Sequence, residues 1–129
     1  MGARGKPRED AGHVTVSVLI VDDHSGFRAR ARRLLEAEGY AVVGEAANGE
    51  QAVRAARALA PDLVLLDVNL PDTDGFAVAQ ELTGHAGAPA VVLTSTRDAA
   101  DVAELVRSSG ARGFVPKAEL SGDALAALL

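Results

Sequence analysis

Leu63-Val64-Leu65-Leu66-Asp67 runs four apolar side chains straight into a carboxylate, and Val68-Asn69-Leu70-Pro71 follows. A short apolar run without polar alternation suits a strand covered on both faces, as in parallel sheets packed between helices. The same pattern recurs along the chain. Val14–Asp22 ends in Asp22-Asp23-His24, Ala90–Ser95 closes on Thr94-Ser95-Thr96, and Gly113–Val115 is followed by Pro116-Lys117; Tyr40–Glu45 is a fifth apolar run. Helical spacing fills the intervals. Phe27, Ala31, Leu34 and Leu35 form one stripe opposite Arg28, Arg30, Arg32 and Arg33. Asn48 with Gln51 three residues on has the form of a capping box, ahead of Ala52, Val53, Ala56 and Leu59 as an inward face. A short helix from Asp74 presents Phe76, Ala79 and Leu82. Another from Asp98 turns Val102, Leu105 and Val106 inward, and Ser121–Leu129 begins a fifth.

Strand and helix thus alternate five times, which predicts parallel strands joined by right-handed crossovers. The expected fold class is α/β: a doubly wound, five-stranded parallel sheet with helices on both faces. Residues 1–13, rich in glycine, proline and charge, are expected to be a disordered leader, and 14–129 the single domain. The 129 residues suffice for one self-sufficient core. The absence of cysteine excludes disulfides, thiolate metal sites and cysteine nucleophiles. A net charge of −5 argues against a nucleic-acid contact made by this chain. No apolar run approaches the length of a membrane span, and no signal peptide is evident, so a cytoplasmic location is expected.

In doubly wound folds function gathers at the carboxyl ends of the strands. That rule brings Asp22, Asp23 and Asp67 together with the Ser95 hydroxyl and the Lys117 ammonium. Like charges about 4 Å apart repel by about 4 kcal/mol at an effective dielectric near 20. Such a cluster either keeps protons or recruits a cation, and a hard divalent ion with oxygen ligands, Mg2+, answers the need. A metal there would also polarise a phosphoryl group held against Asp67. Taken singly, Asp22 or Asp23 could instead cap the Phe27 helix. Lys117 stands out by composition: 11 of the 13 basic residues are arginine, and Lys6 is the only other lysine. A compact ammonium suits a small anionic pocket better than a planar guanidinium does.

With these residues in place, the chain resembles the receiver domains of two-component response regulators, from about Val16 to Leu129. The resemblance rests on Leu19-Ile20-Val21-Asp22-Asp23, Leu65-Leu66-Asp67, the Pro71 to Asp74-Gly75 turn, Thr94-Ser95 and Phe114-Val115-Pro116-Lys117. The spacings agree too: 44 residues from Asp23 to Asp67, 28 to Ser95 and 22 more to Lys117. It implies a flavodoxin-like receiver fold with Asp67 as phosphoacceptor. Asp23 would ligate Mg2+ directly, Asp22 chiefly through water, and Asn69 through its backbone carbonyl. Lys117 would pair with Asp67 and then with the phosphoryl oxygen. Ser95 would donate to the phosphoryl group, and Phe114 would rotate into the space Ser95 vacates, with plain core packing as the alternative. A sensor histidine kinase or histidine phosphotransfer protein is the implied partner, and dimerisation on phosphorylation is admissible. Asp-Asp-His and Val-Pro-Lys most resemble receivers that carry a helix-turn-helix effector. Ser95 stands where threonine is commoner, and Thr96 where a small alanine is frequent, so Thr96 is expected to modulate access and phosphate lifetime.

His24 is either a neighbour of the acids or a solvated loop histidine, the latter being the expectation. His13 and His85 have no ligand partner at metal spacing. The Arg28–Arg33 cluster is either a docking face for an acidic partner or a solvated helix face. Two other function classes compete. A haloacid-dehalogenase-type phosphatase also uses a strand-end aspartate and Mg2+, but wants a second aspartate where Asn69 stands. A phosphorylation-independent interaction module would need none of the acids. No Walker loop or dinucleotide fingerprint supports nucleotide binding.

Overall fold

The computed structural model describes residues 8–10, 13–96 and 102–129. β1 (Arg8–Asp10) and β2 (His13–Thr15) pair antiparallel as a small separate ribbon, where the sequence suggested an irregular leader. The domain proper follows: β3 (Ser17–Val21), α1 (Ser25–Ala37), β4 (Ala41–Ala46), α2 (Gly49–Leu59), β5 (Leu63–Asp67), α3 (Gly75–Leu82), β6 (Ala90–Ser95), α4 (Ala103–Ser109), β7 (Gly113–Pro116), a 3-10 turn (Lys117–Glu119) and α5 (Gly122–Ala126). The expected run Val14–Asp22 is therefore divided at Val16 between the ribbon and β3. The beginning of the expected Asp98 helix lies outside the described residues.

The five main strands pair parallel in the order β4-β3-β5-β6-β7. Strand parity divides the core in two. Val18, Ile20, Leu63, Leu65, Val92 and Val115 pack with Phe27, Ala31 and Leu35 of α1 and Leu125 of α5. Leu19, Val21, Val64, Leu66, Val91 and Leu93 pack with Ala52 and Ala56 of α2 and Val78, Ala79 and Leu82 of α3. Both faces of the central strands are thus dry, which accounts for their unbroken apolar sequence. From β3 the chain moves out to the edge strand β4, then crosses back to β5. This reversal opens a crevice at the carboxyl ends of β3 and β5, beside Asp22 and Asp67.

Three helix expectations change in detail. Leu59 remains 44% exposed, although it lies over Gly44 of β4, where a Cβ would come within 2.6 Å of its Cδ1. Leu105 is 49% exposed rather than inward, because the short α4 turns Val102, Val106 and Ser109 toward the body. Val78 takes the buried place expected of Phe76, which is only half-buried. Among the described residues no helix is long and apolar enough to cross a membrane.

Candidate functional site

Asp22 follows the last residue of β3 and is fully buried. Its backbone N–H donates to the Ala46 carbonyl at 3.0 Å, and its own carbonyl accepts from Arg28 at 2.6 Å. Its side chain does not cap α1. His24 occupies the N-cap position with no side-chain capping bond, and the His24 N–H donates to Asp22 Oδ1 at 2.8 Å. The capping alternative for the acidic pair therefore gives way to a carboxylate turned back toward the crevice. Asp23, next along, is solvent-exposed.

Asp67 ends β5 and is almost wholly buried. Burial raises its carboxyl above the usual range, and the Asp22 charge raises it further. Lys117 and the Asn69 N–H, which donates to Asp67 Oδ1 at 3.3 Å, oppose that rise without cancelling it. Lys117 Nζ sits between the two buried acids, 2.7 Å from Asp22 Oδ2 and 3.5 Å from Asp67 Oδ2. Lys117 is thus nearer Asp22 than Asp67, the partner the family pattern implied. The Phe27 ring lies 4.6 Å from Nζ and offers it a π face. Phe27 was legible only as a core residue, since the strand and helix that bring the pair together are 90 residues apart.

The loop after Asp67 is tightly folded. Asn69 bridges Asp74, the Leu70 N–H donates to the Thr73 carbonyl at 3.2 Å, and the Gly75 N–H to Val68 at 2.7 Å. A Cβ on Gly75 would overlap the Asp67 carbonyl oxygen, so the return of the chain beside the acceptor requires glycine here. Asp74 caps α3 by accepting from the Ala77 N–H at 2.8 Å. Asp72 reaches across to another helix: its carboxylate accepts from the N–H groups of Gly49 and Glu50 at 2.8 and 3.1 Å. Those bonds lower its pKa and clamp the loop to the start of α2. No local sequence signal marks a cap supplied from 23 residues away.

Ser95 is fully buried at the end of β6, in register with Pro116, the residue before Lys117. Thr96 beyond it is exposed. Phe114, half-buried, packs against the core face shared by α2 and α3. The arginine cluster divides. Arg28 and Arg32 clasp the two oxygens of Glu45 at 2.9 and 2.8 Å, which lowers the Glu45 pKa. Those two are tied to Glu45 at the surface of the domain, and Arg30 lies over the Phe27 ring at 5.7 Å, so the cluster is not one uniform solvated face.

His24 is the main revision of the sequence expectations for the site. Its ring is 71% exposed, yet Nδ1 lies 3.0 Å from Asp23 Oδ1 and 3.2 Å from Asp22 Oδ1. One ligand atom from each of Asp22, Asp23, His24 and Asp67 falls within 4.8 Å of the others. Two buried carboxylates and one exposed carboxylate at the mouth are an oxygen set that fits a divalent cation.

A doubly wound domain with an acid-lined crevice at its topological switch, faced by Lys117, defines a class of phosphoryl-handling switch. The chain belongs to the response regulator receiver domain family, whose model matches residues 18–129. It is similar to the transcriptional regulatory protein PdtaR of Mycobacterium tuberculosis, 40% identical over 100 residues, covering 78% of this chain and 48% of that protein. It is also similar to a protein-glutamate methylesterase/protein-glutamine glutaminase of Alkalilimnicola ehrlichii, 40% identical over 112 residues, covering 84% of this chain and 29% of that one. Among solved structures, a LuxR-family two-component response regulator from Aurantimonas aligns with TM-score 0.79 at 34% identity, covering 88% of this chain and 85% of that one. The chain spans under half the length of both curated relatives.

Proposed function

We propose that Asp67 is the phosphoacceptor of this receiver, charged by a sensor histidine kinase or a histidine phosphotransfer protein in the cytoplasm. The carrying observation is the placement of Lys117 between two buried carboxylates, 2.7 and 3.5 Å away, at the switch point of the sheet. A carboxylate oxygen of Asp67 attacks phosphorus in line. The P–N bond of the donor phosphohistidine breaks, and its imidazole leaves with the electron pair. Lys117 and the Asn69 N–H favour the anion of Asp67, the attacking form, against the rise that burial and the Asp22 charge impose.

Asp22, Asp23, Asp67 and the Asn69 carbonyl are the proposed holders of a divalent ion, Mg2+ being the expected one. When bound it supplies positive charge to the transferring phosphoryl oxygens. Lys117 donates to one phosphoryl oxygen. The Ser95 hydroxyl donates to another, which draws the end of β6 inward. Two hydrogen bonds to a charged group, about 1.5–3 kcal/mol each, approach the roughly 5.5 kcal/mol needed to invert a two-state population. Phe114 then turns toward the space beside β6, changing the β6–β7 face. Thr96, exposed at the mouth, modulates access of water and partner. The output lies in whatever this face engages, a reading supported by the difference between two relatives, one named a transcriptional regulator and the other a methylesterase.

The deciding experiment is incubation with phosphoramidate and Mg2+, read by intact mass. One added phosphoryl group, absent in Asp67→Asn, is expected. A chain that gains no mass with any phosphodonor would favour the phosphorylation-independent interaction module. Turnover of generic phosphate esters would favour a phosphatase.

A further inference from the structure

Thr94 is wholly buried near the end of β6, and its Oγ1 finds no hydrogen-bond partner among the described residues. A buried hydroxyl left unpaired costs stability, and so calls for a reason. Alternation along the strands gives its direction. Val92 belongs to the core beneath α1 and α5, and Thr94, two residues on, faces the same side. Leu65 and Ile20 belong to that core too, which sends Asp67 and Asp22 to this side by the same parity. Thr94 and Asp67 are in register on adjacent strands, so their side chains are neighbours.

Lys117 connects this hydroxyl to the switch. It follows β7, yet its Nζ stands 2.7 Å from Asp22, at the end of β3. The ends of β5 and β6 lie between those two strands, so the Lys117 stem passes over the side that carries Thr94. In the unphosphorylated domain Nζ reaches past Asp67, at 3.5 Å, to the nearer Asp22. A phosphoryl group on Asp67 draws it back from β3 toward β6.

We propose that Thr94 is a positioning residue of the switch: its hydroxyl, unpaired in the unphosphorylated domain, accepts from the Lys117 ammonium once that group moves to the phosphoryl oxygen. The inference rests on the reading above that Asp67 is the phosphoacceptor. An ammonium carries three donors and no acceptor, and a hydroxyl has lone pairs to receive one of them. The missing bond burdens the unphosphorylated state alone, so its formation favours the phosphorylated one.

Beryllofluoride with Mg2+ is the probe, a noncovalent stand-in for the phosphoryl group on Asp67, titrated into the full chain, Thr94→Val and Thr94→Ser. Thr94→Val keeps the shape without the hydroxyl and is expected to bind the probe at least about tenfold more weakly, the scale of one hydrogen bond to a charged group. Thr94→Ser keeps the hydroxyl and is expected to stay within about threefold of the unsubstituted chain. Without the probe, the urea midpoint of Thr94→Val is expected to equal or exceed that of the unsubstituted chain, because no hydrogen bond is lost. Equal probe affinity in all these chains overturns the proposal. So does a lowered midpoint of Thr94→Val without the probe, which means that the hydroxyl is already paired. A Thr94→Ser chain that binds as weakly as Thr94→Val overturns it as well. In each of these cases the unsubstituted chain still takes up the probe, and Asp67 stands as the acceptor. An unsubstituted chain that binds no beryllofluoride and gains no phosphoryl mass overturns both readings.

Discussion

Removal of the Lys117 charge is the most demanding test of the site. Its ammonium stands 2.7 Å from Asp22 and 3.5 Å from Asp67, both essentially out of solvent. At an effective dielectric near 20 these separations correspond to gross attractions of about 6 and 5 kcal/mol. Most of that is offset by the cost of dehydrating the three groups. What survives deletion of one partner is the penalty of stranding buried charge, about 3–5 kcal/mol. Lys117→Met keeps the stem and an apolar contact with Phe27 while removing the cation. Its urea midpoint should fall by the equivalent of about 3–5 kcal/mol, and its melting temperature by about 10–20 °C for a domain of this size. A second substitution, Asp22→Asn, removes one stranded charge. The double variant should therefore be more stable than Lys117→Met alone, with a coupling of about 2 kcal/mol. Added Mg2+ should restore stability to Lys117→Met more than to the unsubstituted chain, because a dication replaces the lost charge. A loss under about 1 kcal/mol together with additive single and double variants would refute the charge bridge.

The raised carboxyl of Asp67 predicts a pH-dependent stability of definite sign. The fold favours its protonated form, so stability rises as pH falls through the raised folded value toward the ordinary 3.8. Asp67→Asn should therefore be the more stable protein at pH 7 and lose that advantage near pH 4, as chemical denaturation at both pH values will show. Gly75→Ala places a methyl group on the Asp67 carbonyl and should cost about 2 kcal/mol or more while slowing phosphorylation, measured by denaturation and intact mass. Arg28→Met frees the Asp22 carbonyl and one oxygen of Glu45. It should cost about 1–2 kcal/mol and weaken divalent-ion binding by calorimetry, with the helical circular dichroism unchanged.

Much of the fold was legible because its signals are local. The apolar strands, the Asn48 cap, the helix start at Asp74 and the stripe of Phe27, Ala31 and Leu35 each declare themselves within a dozen residues. Misjudged positions were those where a helix's rotation about its axis decides burial. Leu59 and Leu105 fit an inward stripe on paper, but the neighbouring elements claim Ala56 and Val106 instead.

The sequence by itself determined that strand ends carrying Asp22, Asp23, Asp67, Ser95 and Lys117 meet along one edge, because alternation of strand and helix forces parallel strands. It determined as well that the scarce lysine falls on that edge. Only the tertiary structure decided how the charges are shared. The closer approach of Lys117 to Asp22, the ring of His24 against both leading acids, the Arg28–Glu45 clasp and the hold of Asp72 on α2 all join residues through space. Such distances of a few ångströms depend on rotamers and on the relative placement of whole elements. Periodicity along the chain carries no record of either.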